Sequence, residues 1–157
     1  TLVDFNQPTL DHCQETLNTL GAKHGSSIEA RYVKLSVQQV LSIAWRTTSE
    51  NLLGESQYDV IYCAGLFDYL SDRMCTRLLR LFYDMLAPGG RIVVSNFNDA
   101  NPIRHFMSYL LEWHLIHRNR RQLHELLPKN IRDTAEVLDG ASPGGIENYL
   151  DIRKPLA

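Results

Sequence analysis

The sequence predicts an α/β protein: an open, mainly parallel sheet with helices on both faces. Three observations carry that expectation. First, Tyr58-Asp59-Val60-Ile61-Tyr62-Cys63-Ala64 and Ile92-Val93-Val94-Ser95-Asn96-Phe97 are apolar runs without polar alternation, as strands buried on both faces are. Second, Met74, Cys75, Leu78, Leu79, Phe82, Met85 and Leu86 lie between those runs at helical spacing. Third, Ile131 to Leu138 and Glu147 to Arg153 read as two closing strands around the turn-rich Gly140-Ala141-Ser142-Pro143-Gly144-Gly145.

The elements follow in order. Thr1 to Asp4 reads as a strand ending in a carboxylate, and Pro8 opens a helix with Leu10, Cys13, Leu17 and Leu20 on one face and Gly21 beyond its end. Gly25-Ser26-Ser27 is a turn before a strand over Ile28 to Lys34. Ser36-Val37-Gln38-Gln39 has capping-box form and starts a helix to about Trp45. Residues 47–57 are polar and read as a connecting loop. Ser71 caps the central helix, with Asp72 at its positive end, and Pro88-Gly89-Gly90 stops it. Beyond the second apolar strand, Asn101 and Pro102 start a helix whose stripe runs Ile103, Phe106, Met107, Leu110, Leu111, His114 and His117, with Trp113 beside it. Asn119 and Gln122 cap a short helix through Leu123, Leu126 and Leu127.

Composition narrows the classes. At 157 residues the chain suits one domain spanning 1–157, and a formal net charge of -2 argues against nucleic acid or an anionic membrane as the main partner. Cys13, Cys63 and Cys75 show no paired spacing and read as free thiols in a reducing, cytoplasmic compartment. No apolar run approaches the roughly 20 residues that span a bilayer, so no membrane insertion is expected. The chain opens inside a strand without an initiator Met, so it reads as part of a longer polypeptide.

The segment Ala64-Gly65-Leu66-Phe67-Asp68-Tyr69-Leu70, the helix ending Met85-Leu86-Ala87-Pro88-Gly89-Gly90-Arg91 and the strand after it resemble the middle of a class I S-adenosylmethionine (SAM) dependent methyltransferase. With Glu112-Trp113-His114-Leu115-Ile116-His117-Arg118 and Leu150-Asp151-Ile152-Arg153-Lys154-Pro155, the chain is similar to bacterial methyltransferases of extracellular factor (3-hydroxypalmitic acid methyl ester) biosynthesis. The resemblance implies a Rossmann-like sheet with an antiparallel last strand. It also implies a central strand and Gly-rich loop ahead of Thr1, supplied by the same polypeptide or a second chain.

The site expectations combine both readings. An Asp at the tip of a buried strand suits the two hydroxyls of a ribose, and the resemblance makes Asp4 that residue for SAM, with Phe5 and Asn6 beside it. An Asp serving only as a turn residue is the plainer account. Ser36 and Val37 match the adenine-contacting position, where many relatives carry Asp, although a helix cap explains Ser36 equally well. Ala64, Gly65 and Leu66 match the floor beneath the methionine moiety. The acceptor is expected from the side of Asn96, Asn98, His114, His117 and Arg118, with His114 the candidate for a catalytic role or else a half-buried core histidine. Two histidines three residues apart lack further ligands, so no metal is expected. Arg118, Arg120 and Arg121 read as a solvated basic face or an anion-binding rim.

Methyl transfer to a small-molecule acceptor follows from the resemblance, a fatty-acyl carboxylate being favoured. A carboxylate is ionised at neutral pH and needs no base. The Asn/Asp-Pro-Pro-aromatic motif of base-amino methyltransferases is absent after Ala64, which counts against nucleic acid as substrate. The alternative is a non-catalytic ligand-binding or protein-interaction domain on the same fold.

Overall fold

A computed structural model of the protein describes residues 1–46 and 57–156. The chain forms two compact units, Thr1–Glu55 and Ser56–Ala157. The loop expected over 47–57 falls, apart from Gln57, outside the described residues.

In the first unit, strand β1 (Leu2–Asp4) pairs in parallel with β2 (Tyr32–Lys34), with Asp4 opposite Lys34. Helix α1 (Gln7–His24) joins them, and α2 (Val37–Arg46) follows. The expected stop at Gly21 is corrected: α1 runs one turn further and ends at Gly25, whose φ of 62° is the left-handed conformation that releases the chain. Gly21 is instead buried within the helix, where a Cβ would lie 2.8 Å from the Ser26 carbonyl oxygen. The capping box of α2 forms as expected, with Ser36 N–H donating to Gln39 Oε1 (2.8 Å) and Gln39 N–H to Ser36 Oγ (3.3 Å). The strand after the turn is shorter than expected, with pairing only from Tyr32.

The second unit is a four-stranded sheet in the order β3 (Tyr58–Cys63), β4 (Leu86–Phe97), β6 (Glu147–Arg153), β5 (Glu136–Ala141). β3 is parallel to β4, while β6 is antiparallel to both β4 and β5, so the last strand alone runs against the rest. Helix α3 (Asp72–Met85) makes the crossover, and α4 (Arg104–Leu110), α5 (Arg120–Glu125) and α6 (Lys129–Thr134) lie between β4 and β5 in sequence. Registered pairing lines up Ile61, Ile92, Ile152 and Val137 across all four strands. Ile92, Val94, Leu150 and Ile152 are fully buried, as are Leu78 and Leu79 of α3, Leu123 of α5 and Ile131 of α6.

Three expectations are corrected here. The Tyr58 strand is not buried on both faces. Among the described residues it is the edge of its sheet, and Val60 and Tyr62 are 60% and 72% exposed. The stripe drawn to His117 ends early: α4 stops at Leu110, Glu112 takes a φ of 50°, and the Trp113 N–H turns back to the Met107 carbonyl (2.9 Å). Ile131 to Leu138 is not one strand. Its first half is α6, which Pro128 starts and Ile131 pins into the core, and pairing begins only at Glu136.

α3 ends at Met85, and Leu86, placed on its apolar stripe by the sequence, is already the first residue of β4, so Pro88-Gly89-Gly90 lies beyond the helix. It forms an outward loop within β4, between the pairs Tyr58–Leu86 and Val60–Arg91. A Cβ on Gly90 would lie 2.8 Å from the Ala87 oxygen and 2.9 Å from that of Tyr58, so only glycine fits unshifted. Among the described residues, no helix is long and apolar enough to cross a membrane.

Candidate functional site

The segment after β3 forms the carboxyl edge of the sheet in the second unit. β3 ends at Cys63, and Ala64 and Gly65 stand exposed at the carboxyl end of the strand. Gly65 has a φ of 68°, and no atom lies within 4 Å of where its Cβ would be, so the backbone requires glycine here while the space above it is open. Phe67–Tyr69 then makes one tight helical turn, with Phe67 fully buried as its anchor.

Beneath this turn lies a buried polar network that ties three segments together. Asp68 is 1% exposed, and its Oδ1 accepts from the Phe97 N–H (2.7 Å) and from Asn96 Nδ2 (2.8 Å). Its backbone oxygen accepts from the Ile116 N–H at 2.8 Å. Burial pushes the Asp68 carboxyl up, against the lowering effect of the Phe97 N–H and of His117. Asn96 Nδ2 also donates to the Ile116 carbonyl (2.8 Å), while Asn96 Oδ1 accepts from Arg118 Nη1 at 2.6 Å.

Arg118 is 3% exposed and uses all five of its N–H groups. Nε and Nη2 donate to Asp72 Oδ1 (3.0 and 2.7 Å), Nη1 to Asn96 and to the Phe67 carbonyl (2.8 Å), and Nη2 to the Leu70 carbonyl (2.6 Å). The reading of Arg118 as part of an exposed basic face is therefore corrected. Arg120 and Arg121 do lie at the surface, paired with Asp139 and Glu125. Nor does Asn96 present a spare polar group to an acceptor, since its amide is fully engaged inside the protein.

Above the network sits an aromatic cluster. Trp113 Nε1 donates to the Tyr69 hydroxyl (2.7 Å), and Phe97 meets Trp113 edge-on at 6.0 Å and His117 at 6.1 Å between ring centroids. Tyr69 and Trp113 remain 56% and 40% exposed, so this surface is open to a ligand. His117 Nδ1 donates to the Leu115 carbonyl (3.1 Å), and among the described residues its buried Nε2 has no partner. His114 lies off the helix, on the exposed segment after it. Asn98 is committed to turn geometry, donating to the Gly145 carbonyl (2.9 Å) and accepting from the Ala100 N–H.

The first unit presents its own edge. Asp4 and Ser36 stand at the carboxyl ends of neighbouring parallel strands, linked where the Leu35 N–H donates to the Asp4 carbonyl (3.0 Å). Asp4 Oδ1 accepts from the Asn6 N–H at 2.7 Å, and Phe5 is 72% exposed. Val37 is the first residue of α2.

Solved structures share the fold. NodS, an N-methyltransferase from Bradyrhizobium japonicum WM9 in complex with S-adenosyl-L-homocysteine (SAH), aligns over 98% of this chain and 65% of its own, with 16% identity and a TM-score of 0.59. Magnesium protoporphyrin IX methyltransferase (ChlM) from Synechocystis PCC 6803 with bound SAH aligns over 97% and 62%, with 8% identity and a TM-score of 0.64. The fold is that of the SAM-dependent methyltransferases. An O-methyltransferase family protein from Burkholderia thailandensis matches over 99% of this chain and 43% of its own, with 13% identity and a TM-score of 0.64. The chain thus spans between 43% and 65% of these structures. No family model and no curated protein matches the sequence.

Proposed function

We propose that the chain serves SAM-dependent methyl transfer to a small-molecule acceptor. The observation that carries this reading is the loop Ala64–Leu70. It stands at the carboxyl end of a parallel strand, with Gly65 in a left-handed conformation beneath open space, on a fold shared with proteins crystallised with SAH. The residues fit the cofactor's chemistry. Open space over Gly65 suits the methionine moiety, with Ala64 and Leu66 at its sides. In the first unit the half-buried Asp4 carboxylate suits the ribose hydroxyls, with Phe5 and Asn6 beside it, and Ser36 and Val37 suit the adenine.

When bound, SAM supplies a methyl carbon activated by a sulfonium. The protein's work is then alignment and exclusion of water. The cluster of Tyr69, Phe97 and Trp113 offers an apolar surface to the acceptor, flanked by His114, His117 and Asn98. A carboxylate acceptor arrives ionised and needs no proton removed, and the resemblance favours a fatty-acyl carboxylate of the extracellular factor type. Cytoplasmic placement fits the three free cysteines.

A second reading, a partner-docking domain, draws on the exposed apolar side chains Phe106, Tyr109, Leu110 and Leu111. Transfer of labelled methyl from SAM to a panel of carboxylates, phenols and amines separates the two. Labelled methyl ester is the expected product. Absence of label in every acceptor, from a protein that is folded, would favour the docking domain.

A further inference from the structure

We infer that Arg118 is a positioning residue that holds the loop Gly65–Leu70 in its ligand-ready shape and couples it to the acceptor-side segment. The inference rests on the functional reading above and goes beyond it by naming the device that sets the loop.

The loop of six residues leaves the carboxyl end of β3 with Gly65 exposed and left-handed, and on its exposed side Trp113 Nε1 reaches the Tyr69 hydroxyl. It is also fixed from below. The guanidinium reaches the Phe67 and Leu70 carbonyls, the two ends of the tight turn, and so clamps that turn between two hydrogen bonds of 2.8 and 2.6 Å. The same group holds Asn96 Oδ1 at the end of β4, and Asn96 holds Asp68 in the turn. Arg118 itself belongs to the segment that carries Trp113 and His117, and its own backbone is anchored by its N–H to the Phe97 carbonyl (2.9 Å) and by Asn148 Nδ2 to its carbonyl (2.9 Å).

Charge supports the assignment. Among the described residues, the one carboxylate paired directly with Arg118 is that of Asp72, whose side chain is 78% exposed. A buried cation held mainly by carbonyl and amide oxygens is costly to install and contributes little net stability, but it fixes geometry, because every one of its donors has a set direction. Lysine carries a single ammonium and cannot serve four separated acceptors at once. Cofactor and acceptor sides thus share one rigid support, so a ligand that orders the loop also orders the segment bearing Trp113.

The test uses hydrogen exchange and SAH titration on the intact protein and on Arg118→Met, Arg118→Lys and Asp72→Asn, with Arg121→Ala as a surface control. In Arg118→Met, exchange of the Tyr69, Leu70 and Ile116 amides should accelerate at least about ten-fold while β5 and β6 stay protected. SAH affinity should fall by about ten-fold or more, with Arg118→Lys between the two and Arg121→Ala unchanged. Asp72→Asn, exposed enough to leave the fold intact, should shift both readouts in the same direction by a smaller factor. Uniform loss of protection across the sheet, or unchanged SAH affinity in a folded Arg118→Met or Asp72→Asn protein, would overturn the inference. Failure of the unmodified protein to bind SAH would instead overturn the functional reading, and this inference with it.

Discussion

At the scale of single residues, Asp68 shows how a polar side chain can be buried and still be required. Replacing it with Ala would leave the Phe97 N–H and part of the Asn96 amide without an acceptor, at a cost of about 1–3 kcal/mol, which urea unfolding would register. Its pH dependence has a definite sign. Burial raises the carboxyl, so the folded state holds the proton at pH values where the unfolded chain has lost it. The contribution of Asp68 to stability is therefore complete below the ordinary aspartate range, near about 3.9, and is lost as pH rises through the elevated folded value. Compared with an Asp68→Asn variant, the wild type should gain stability as the pH is lowered from neutral. Parallel stability profiles for the two proteins would contradict this. The cysteines give a second check. Burial pushes the Cys63 thiol up to about 12 and that of Cys75 to about 11, so both remain protonated at neutral pH. Iodoacetamide followed by mass spectrometry should find the buried Cys75 unmodified in the folded protein and alkylated in urea, whereas rapid labelling of native Cys75 would refute its burial.

At the scale of elements, legibility followed how local the governing interaction is. Both capping boxes were readable because Ser36 with Gln39 and Asn119 with Gln122 act within one turn. Asn119→Ala should accordingly cost about 0.5–2 kcal/mol, measured by thermal or urea unfolding. The end of α4 was not readable, because periodicity continues through His114 and His117 while the chain has already turned at Glu112 to bring Ile116 and Arg118 onto Asp68 and Asn96. The bonds from Arg118 to Asn96 and to Phe67 span 22 and 51 residues of sequence, and no window of a single helix contains them. The same reason hid the burial of Arg118, since a short run of arginines looks like a solvated face until the acceptors, drawn from two other segments, are known. One signal did stand in the sequence: Asp68 is the single charged residue in the otherwise apolar Leu66-Phe67-Asp68-Tyr69-Leu70.

At the scale of the whole molecule, the strand and helix order carried the α/β class, while the antiparallel last strand came from the resemblance and is met by β6, which runs against both β4 and β5. The exposure of β3 did not follow from its composition. Tyr58 to Cys63 has the apolar character of a central strand, yet among the described residues it pairs on one side only. The fold is held in common with structures of low sequence identity, from 8% to 16%, so function rests on the site and has to be tested there. Calorimetric titration of the intact, folded protein with SAH tests the central claim most directly. The account predicts saturable one-site binding that Asp4→Ala weakens by about 1–3 kcal/mol, the value of lost charge-assisted hydrogen bonds; absence of binding heat under conditions where the protein is folded would contradict it.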